Sequence, residues 1–398
     1  MKGRVFSRAA TSAKKDRGFS PWGEFANEMT EEDPIPIPTS AYEGDFVLNE
    51  VLSLESGEIL VNPTLHYAVY GRLNAARDNA VLVCHALSGS AQVGAWWPQL
   101  FLPGDLGLLD LTRDCVIGIN IFGSCYGSTG PGSIDPATGK PYGPTFPLIN
   151  VRDIVNAQVK LIDHLGIPQL KLAIGASIGG MQVLEWAILY PDRVARAISI
   201  GVAPLGAMGL GLNHLQRQAI MLDPAWKGGY YSPGQEPEGG LALARALGMI
   251  SYKSVPLFEE RFARKPNRYG NENPFISAAA GQNGRFDVAG YLDYQGRTFN
   301  QRFDANSYIS ITRTMDIFDP VRAHETPYIA YNRIQAHVTL VGISTDWLFP
   351  PEDVRSLAAM IRASGTRCDY REMASNHGHD AFLAEPDQLV RLLTPVFE

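Results

Sequence analysis

The chain has 398 residues, a hydrophobic content of 45% and a formal net charge of −7. That length exceeds one ordinary domain but fits a doubly wound sheet with an inserted subdomain. The acidic balance argues against a nucleic-acid partner or an anionic membrane surface, and no apolar run is long enough to span a bilayer. Four scattered cysteines without Cys-x-x-Cys spacing indicate reduced core thiols, which favours a cytoplasmic enzyme.

The first part of the chain lacks hydrophobic periodicity and is rich in Ser, Arg, Lys, Pro and Gly. We predict a disordered arm over residues 1–43, since such a segment cannot bury enough apolar surface to become ordered. Its basic, acid-poor beginning is faintly similar to a transit peptide, but it contains no apolar core of the kind found in signal peptides.

From Gly44 onward the sequence is rich in predicted strands. Alternating apolar and polar residues, separated by turn residues, predict antiparallel strands at a sheet edge: Phe46–Leu48, Val51–Leu54 and Leu65–Tyr70. Continuous apolar runs predict parallel strands buried on both faces: Ala80–Cys84, Cys115–Ile119, Ala197–Ile200 and His337–Val341. Helices alternate with these strands, one of them predicted over Ile154–Leu165. This pattern indicates an α/β fold with a doubly wound, mostly parallel sheet.

The stretch between the strand that ends near Val202 and the strand that starts at His337 is too long for one crossover. It contains helix-like runs at Leu241–Leu247 and Tyr308–Phe318, and a loop of that length without structure is improbable. The prediction is a helical cap over the carboxyl ends of the strands, where open α/β sheets bind ligands. Beyond the arm, the chain is thus divided into three parts: a core segment over residues 44–204, the cap over 205–322 and a second core segment over 323–398.

A short apolar run, Lys171–Ile174, leads into Gly175-Ala-Ser177-Ile-Gly179 and then into a helical run. A strand, a Gly-x-Ser-x-Gly turn and a helix form the nucleophile elbow of α/β-hydrolases, where a strained turn exposes the serine. Glycines are needed because the backbones approach too closely for a Cβ atom. Ser177 is therefore the candidate nucleophile. The alternative is a glycine-rich turn with an incidental serine.

A serine nucleophile needs a base, and the base needs an orienting acid. In this fold the chain order is Ser, then Asp or Glu, then His. Asp346 lies on the loop Gly342–Pro350 after the last apolar strand, which makes it the candidate acid. Glu352 and Asp353 lie just beyond it, but they fit the first turn of a following helix, where carboxylates favour the helix dipole.

Two histidines follow a further strand predicted around Tyr370, namely His377 and His379. One of them should be the base, and residue chemistry alone does not choose between them. The remaining histidines considered have no place at the right loop: His66, His164, His214, His324 and His337. A metal site made of His377, His379 and Asp380 matches no usual ligand spacing, so no metal is predicted.

The tetrahedral intermediate of acyl transfer needs two hydrogen-bond donors. In this architecture they are the backbone N–H after the nucleophile, here Ile178, and one from the loop after the third strand. That loop, Cys84–Ser90, consists mostly of small residues and contains a glycine, and the Leu87 N–H is the candidate second donor. The alternative is a loop without such a role.

Six blocks of the sequence resemble the homoserine O-acetyltransferases of α/β-hydrolase fold: Cys84–Ser90, Gly127–Asp153, Gly175–Ala187, Gly248–Ser254, Arg302–Tyr308 and Gly378–Leu383. The resemblance runs from about Phe46 to the C-terminus. It implies that His379, in the Gly-His-Asp block, is the base rather than His377. It also implies that Asp380 recognises the amino group of the substrate and that Arg217 recognises its carboxylate, which arginine can grip at two points.

The resemblance implies a ping-pong acyl transfer in methionine biosynthesis, in which Ser177 attacks acetyl-CoA as a co-substrate and L-homoserine accepts the acyl group. It implies no bound cofactor, and it implies a homodimer formed through cap helices. Similar relatives acetylate or succinylate homoserine or serine, so these remain alternatives, and Gly201–Asn213 and Gly123–Gly127 depart from the usual pattern. From other classes, the rivals are a serine hydrolase that uses water and a catalytically silent binding protein.

Overall fold

The computed structural model describes residues 37–102, 107–267, 274 and 285–397. Residues 1–36 of the predicted arm lie outside these ranges, and the first strand begins at Tyr42, inside the last residues assigned to the arm. None of the helices in the described ranges has the length and apolar character needed to cross a membrane.

Most strands of the described chain belong to one mixed sheet. The strands are β1 (Tyr42–Val47), β2 (Val51–Ser53), β3 (Ile59–Val61), β4 (Thr64–Tyr70), β5 (Ala80–Cys84), β6 (Cys115–Ile119), β7 (Leu172–Ala176), β8 (Arg196–Ile200), β9 (His337–Ile343) and β10 (Cys368–Met373). The sheet has the order β1-β4-β6-β5-β7-β8-β9-β10. Strand β5 pairs in parallel with β6 and β7, and parallel pairing continues from β7 through β8 and β9 to β10. At one edge of the sheet, β4 pairs antiparallel with both β1 and β6. The predicted α/β fold with an antiparallel edge is confirmed.

One predicted edge strand lies elsewhere. Val51–Ser53 pairs antiparallel with Ile59–Val61 in a separate two-stranded sheet. The chain turns back between them at Gly57, which has a φ of +86° that residues with a side chain rarely adopt. The turn closes a local hairpin, so this segment does not join the main sheet.

The described helices are α1 (Val93–Trp96), α2 (Val151–His164), α3 (Ile178–Leu189), α4 (Ala207–Met221), α5 (Glu238–Tyr252), α6 (Val255–Arg261), α7 (Asp287–Asn300), α8 (Ala305–Asp316), α9 (Pro327–Asn332), α10 (Pro351–Ala363), α11 (Ala381–Ala384) and α12 (Pro386–Phe397). Helix α2 starts three residues before its predicted beginning because Asn150 and Asp153 form a capping box there. Helices α2 and α3 pack against each other, and α3 packs on the parallel strands.

Helices α4 to α8 lie between β8 and β9 in the chain, within the range predicted for the cap. Helix α5 packs on α4 and α7, and α4 also packs on α8. Some of these helices share a small apolar cluster made of Met249, Phe262 and Tyr291. The segment therefore has side-chain packing of its own, although its boundaries at residues 204 and 322 stay a prediction.

Candidate active site

Ser177 lies at a sharp turn between β7 and α3. Its φ of 56° and ψ of −133° are strained for a residue with a side chain, and its N–H donates to Ile200 O at 3.0 Å. A Cβ on Gly175 would be 2.5 Å from the carbonyl carbon of Gly179. The turn therefore requires glycine at that position. This strand, strained serine and helix match the nucleophile elbow predicted from the sequence, although β7 continues one residue beyond Gly175 to Ala176.

Asp346 and His379 come from the loops after β9 and β10 and meet at the carboxyl edge of the sheet. Asp346 Oδ2 is 2.7 Å from His379 Nδ1, and both side chains are buried. The other oxygen, Oδ1, accepts from the N–H groups of Leu348 at 2.9 Å and Phe349 at 3.0 Å. These bonds fix the carboxylate, which in turn fixes the orientation of the imidazole.

The two ring nitrogens of His379 differ in their surroundings. Burial would lower the pKa of His379, but the charge and hydrogen bond of Asp346 outweigh it and raise that pKa above its usual value. The Nε2 atom is buried and has no hydrogen-bond partner within the described parts of the chain. A Cβ on Gly201 would be 3.3 Å from His379 Cε1, so the ring packs on the residue that follows Ile200. Ser177 and His379 thus contact consecutive residues at the end of β8.

The structure separates the two histidines that the sequence left open. His377 Nδ1 is 2.7 Å from Glu385 Oε1, and this pair is partly exposed to solvent. His379, and not His377, contacts Asp346. The structure thus brings His379 next to the candidate acid and His377 next to Glu385, and the role of His379 as the base stays a prediction.

The loop after β5 is held from two sides. His85 Nε2 accepts from the Ile121 N–H at 3.2 Å, so its Nδ1 carries the proton donated to Ala86 O at 2.8 Å. Burial lowers the pKa of His85 to about 4, which keeps the imidazole neutral. From the cap segment, Arg302 Nη1 donates to Ser88 O at 2.9 Å. The loop that contains Leu87 is therefore fixed by the core and by the cap segment.

The two predicted oxyanion donors are both backbone N–H groups near the elbow. Ile178 is the first residue of α3, where helical geometry provides no acceptor for the N–H group. For Leu87, no acceptor is found among the residues that the structure describes. Both groups can therefore donate to a bound oxyanion.

Asp380 is already paired inside the protein. Its Oδ2 is 2.8 Å from Nζ of Lys253, which is only 2% exposed and lies between α5 and α6. Burial lowers the pKa of Lys253, and the Asp380 carboxylate opposes that shift. The backbone beside this lysine also packs on the histidine loop, because a Cβ on Gly378 would be 2.8 Å from Ser254 N. The carboxylate next to the candidate base is therefore balanced by a buried cation from the cap segment.

Arg217 has an internal counter-ion as well. Its Nη2 is 2.5 Å from Asp316 Oδ2, and Asn213 donates to the other oxygen of Asp316 at 2.8 Å. Its Nη1 is buried and has no hydrogen-bond partner in the described ranges. One edge of the guanidinium is therefore satisfied by Asp316, and the other edge retains a donor.

A phenol network connects the helix of Arg217 to the candidate base. Tyr308 donates its hydroxyl to Gln216 Oε1, and the hydroxyl groups of Tyr252 and Tyr308 are hydrogen-bonded to each other. The Tyr252 ring centroid lies 5.9 Å from that of His379. Burial raises the pKa of both tyrosines, so their hydroxyls keep their protons at neutral pH. Helix α4 and the histidine loop thus belong to one packed region.

Other polar groups singled out in the sequence lie in ordinary surroundings. His66 pairs with Glu43 and Asp45, and His337 pairs with Asp369. All four cysteines are free, and Cys125 alone among them is only partly buried. No cluster of three metal-binding side chains occurs among residues 37–102, 107–267, 274 and 285–397.

Comparison with known proteins identifies the family. A family model of the α/β-hydrolase fold matches residues 79–386. The homoserine O-acetyltransferase of Symbiobacterium thermophilum is 48% identical over 88% of this chain and 93% of its own length. The chain belongs to the homoserine O-acetyltransferase family.

Two further comparisons show the range of activities around the family. The homoserine O-succinyltransferase of Alkalilimnicola ehrlichii is 42% identical over 84% of this chain and 89% of its own length. Among solved structures, esterase E22 has a TM-score of 0.80 at 25% identity, covering 90% of this chain and 100% of its own. A similar fold therefore occurs in a protein named as an esterase, and a similar sequence in one named as a succinyltransferase.

In this member of the homoserine O-acetyltransferase family, sequence analysis missed several partners of the site. Lys253 and Arg302 lie within blocks that carry the family resemblance, and each is next to an aromatic residue, Tyr252 or Phe303. Their place in those blocks was the signal that could have found them. Asp316 and His85 gave no comparable signal, because their roles depend on contacts with residues distant in the chain.

Proposed function

We propose that this protein transfers an acetyl group from acetyl-CoA to the hydroxyl of L-homoserine by a ping-pong mechanism. The observation that carries the proposal is the buried Asp346–His379 pair, in which His379 Nε2 has no hydrogen-bond partner among the described residues. The pair lies next to the end of β8, where Ile200 O accepts a hydrogen bond from the Ser177 N–H. It occurs in a chain that is 48% identical to a homoserine O-acetyltransferase.

In the first half-reaction, His379 Nε2 takes the proton of Ser177 Oγ as the oxygen attacks the thioester carbonyl. The tetrahedral oxyanion accepts hydrogen bonds from the N–H groups of Leu87 and Ile178. The C–S bond then breaks, His379 returns the proton to the departing thiolate, and an acetyl ester of Ser177 remains. Asp346 keeps Nδ1 protonated and stabilises the imidazolium that forms in each transfer.

In the second half-reaction, the homoserine hydroxyl attacks the acetyl carbonyl and gives its proton to His379. The bond between the acetyl carbon and Ser177 Oγ then breaks, His379 returns the proton to Ser177 Oγ, and O-acetylhomoserine is released. The substrate is a zwitterion, so it needs one anion and one cation placed apart. Asp380 supplies the anion and Arg217 the cation. The buried Nη1 of Arg217, which lacks a partner in the described ranges, supports this assignment because a carboxylate would satisfy it.

The internal counter-ions refine this picture. Lys253 and Asp316 keep Asp380 and Arg217 electrically balanced before the acceptor binds. Each carboxylate oxygen can accept more than one hydrogen bond, so Asp380 can receive the substrate ammonium without releasing Lys253. The zwitterion then extends two existing ion pairs and adds no net charge to a buried region.

The test is an acyl-donor and acceptor screen with the purified full chain. Acetyl-CoA is supplied with and without L-homoserine, and released CoA is measured. Transfer predicts acceptor-dependent CoA release and formation of O-acetylhomoserine. Release that does not depend on homoserine would identify the esterase-type alternative, and no release with any donor would identify a binding protein.

Two alternatives keep specific support. A succinyl donor is supported by the relative named homoserine O-succinyltransferase, and serine as acceptor has the same zwitterionic form as homoserine. Water as acceptor is supported by the structural similarity to esterase E22. A cytoplasmic location, a homodimer and a place in methionine biosynthesis belong to the same proposal, and size-exclusion chromatography with light scattering tests the homodimer.

A further inference from the structure

A second arginine of the cap segment is buried without a carboxylate. Arg245 lies on α5 and is 6% exposed. Its guanidinium carbon is 4.8 Å from the ring centroid of Phe299 and 5.7 Å from that of Tyr252. Within residues 37–102, 107–267, 274 and 285–397, no Asp or Glu pairs with it. Guanidinium cannot lose its proton in proteins, so this site holds a permanent buried charge.

A second guanidinium approaches the same ring. The guanidinium carbon of Arg302 is 5.1 Å from the Phe299 centroid, and its Nη1 also donates to Tyr126 Oη at 2.7 Å. Burial lowers the pKa of Arg302, and the charge of Arg245 lowers it further. Two like charges thus face one phenyl ring, and each makes the charge of the other less favourable.

The position of this pair ties it to the acyl-transfer centre. Tyr252, on which Arg245 stacks, has its ring centroid 5.9 Å from that of His379. Arg302 binds Ser88, the neighbour of the candidate oxyanion donor Leu87. Arg245 is therefore linked to the candidate base through one aromatic ring, and Arg302 contacts the oxyanion loop directly. An anion bound by this pair would lie close to the acyl-transfer centre.

Arg217 provides the contrast that makes Arg245 informative. The charge of Arg217 is balanced by Asp316 at 2.5 Å. Among the described residues, the groups found against Arg245 are aromatic faces, which attract a guanidinium less strongly than a carboxylate does. A planar carboxylate matches the two-point geometry of guanidinium, and both substrate classes of this family can present one.

We propose that Arg245, with Arg302 behind it, forms a second carboxylate-binding subsite of the acyl-transfer centre. The proposal rests on the proposed acyl transfer and deepens it. The carboxylate has two possible sources. One is the α-carboxylate of the amino-acid acceptor, shared in that case between Arg245 and Arg217, and the other is the terminal carboxylate of a dicarboxylic acyl group such as succinyl.

The experiment compares wild type with Arg245→Met, Arg245→Lys and Arg264→Met. Arg264 is a matched control, because it is an exposed arginine of the cap segment that also stacks on an aromatic ring, that of Phe286. Thermal unfolding first checks that each variant is folded. One arm compares L-homoserine with L-homoserinamide as acceptors for acetyl-CoA, and the other compares succinyl-CoA with acetyl-CoA as donors in the acylation half-reaction.

If the acceptor supplies the carboxylate, Arg245→Met raises KM for homoserine at least tenfold more than KM for homoserinamide, and Arg245→Lys recovers part of the difference. If the acyl group supplies it, Arg245→Met slows succinylation of Ser177 at least tenfold more than acetylation. Arg264→Met changes neither ratio. Equal losses for charged and uncharged substrates, or no change in either ratio, would overturn the subsite.

Failure of the proposed function gives a different result. Wild type would then release no CoA in response to homoserine, whatever Arg245 does. The subsite is tested in that case by hydrolysis of p-nitrophenyl acetate and mono-p-nitrophenyl succinate. Arg245→Met should lower the succinate-to-acetate rate ratio at least tenfold, and an unchanged ratio in a protein without homoserine transfer would overturn the subsite separately.

Discussion

The core side and the cap side of the site treat charge differently. On the core side, His379 has a carboxylate partner at Nδ1, and its Nε2, the proposed proton acceptor, has no hydrogen-bond partner among the described residues. On the cap side, Arg217 pairs with Asp316 at 2.5 Å, and Lys253 pairs with Asp380 of the core at 2.8 Å. The difference follows from the task. A group that moves a proton needs one unfilled position, while Arg217 and Asp380, the groups proposed to bind the zwitterion, are charge-balanced before substrate binds.

The largest effect should come from Ser177→Ala, because it removes the atom that forms the covalent intermediate. We expect a loss of turnover of about 10,000-fold or more, without loss of folding. CoA release measures the rate, and mass spectrometry of the Ser177 peptide after acetyl-CoA alone measures acetylation. Ser307→Ala is the control, since that buried hydroxyl has no partner in the described ranges. Normal turnover in Ser177→Ala would remove the covalent mechanism.

Asp346→Asn should have the next largest effect, a loss of turnover of about 1,000-fold to 10,000-fold, because nothing then holds the imidazole in the required tautomer and orientation. The charged groups facing His379 are Asp346, Asp380 and Lys253, with the Tyr252 phenol beside them. The base must be neutral, so activity falls as pH drops through its raised pKa. Without the Asp346 charge that limb should move to lower pH.

A pH–rate profile of the residual Asp346→Asn activity checks the direction of this shift. His377→Ala is the matched control for His379→Ala, and it should retain most of the activity. Loss in His377→Ala with retention in His379→Ala would move the base to the other histidine.

Arg217→Ala should separate the two half-reactions. It leaves the acceptor carboxylate and Asp316 without their cation, an effect of about 2 kcal/mol or more and hence over tenfold. Acetylation of Ser177 should proceed, while transfer to homoserine weakens. Single-turnover CoA release and O-acetylhomoserine formation measure the two steps. Arg313→Ala, an exposed arginine of α8, is the control, and normal homoserine transfer in Arg217→Ala would end the assignment.

The Gly201→Ala variant tests how closely the core packs against the candidate base. Its φ is +58°, and a Cβ would be 3.3 Å from the His379 ring and 3.4 Å from Asp346 Oδ2. Displacing the ring slightly should reduce kcat by about 10- to 100-fold. Gly206→Ala is the control, because no atom lies within 4 Å of a Cβ there and its φ is −71°. Equal kcat values in the two variants would contradict the tight packing.

The smallest effect concerns stability. Glu185 of α3 is 1% exposed, and Arg152, its nearest cation at 3.7 Å, pairs with Glu55 instead. Burial raises the pKa of Glu185 to about 8, so the folded state resists losing this proton. Stability from the protonated form is complete below the unfolded pKa and is lost as pH rises toward 8.

Glu185→Gln should therefore raise the free energy of unfolding at pH 8 by at least ~1 kcal/mol and have little effect near pH 4. Urea unfolding at several pH values measures this. A variant less stable than wild type at pH 8 would show that Arg152 compensates the buried carboxylate despite its distance.

More of the site residues on the core side than of the contacts on the cap side could be predicted from the sequence, for a physical reason. The elbow at Ser177 is local, and Asp346 and the histidines lie at strand ends that periodicity locates. The choice of His379 over His377 depends on which side chain faces a loop 33 residues earlier. The Arg217–Asp316 pair joins residues 99 positions apart on two helices, and no local pattern specifies that pairing.

The order of strands in the sheet also has a consequence for synthesis on the ribosome. Ser177 and His379 are about 200 residues apart, and the whole cap segment is translated between them. Strand β9 pairs with β8 only after that segment has emerged, and β10 follows β9. A nascent chain therefore exposes its serine for many seconds, at roughly 5–20 residues per second, without the base that activates it. Such a chain should not react with acyl donors until the sheet is complete.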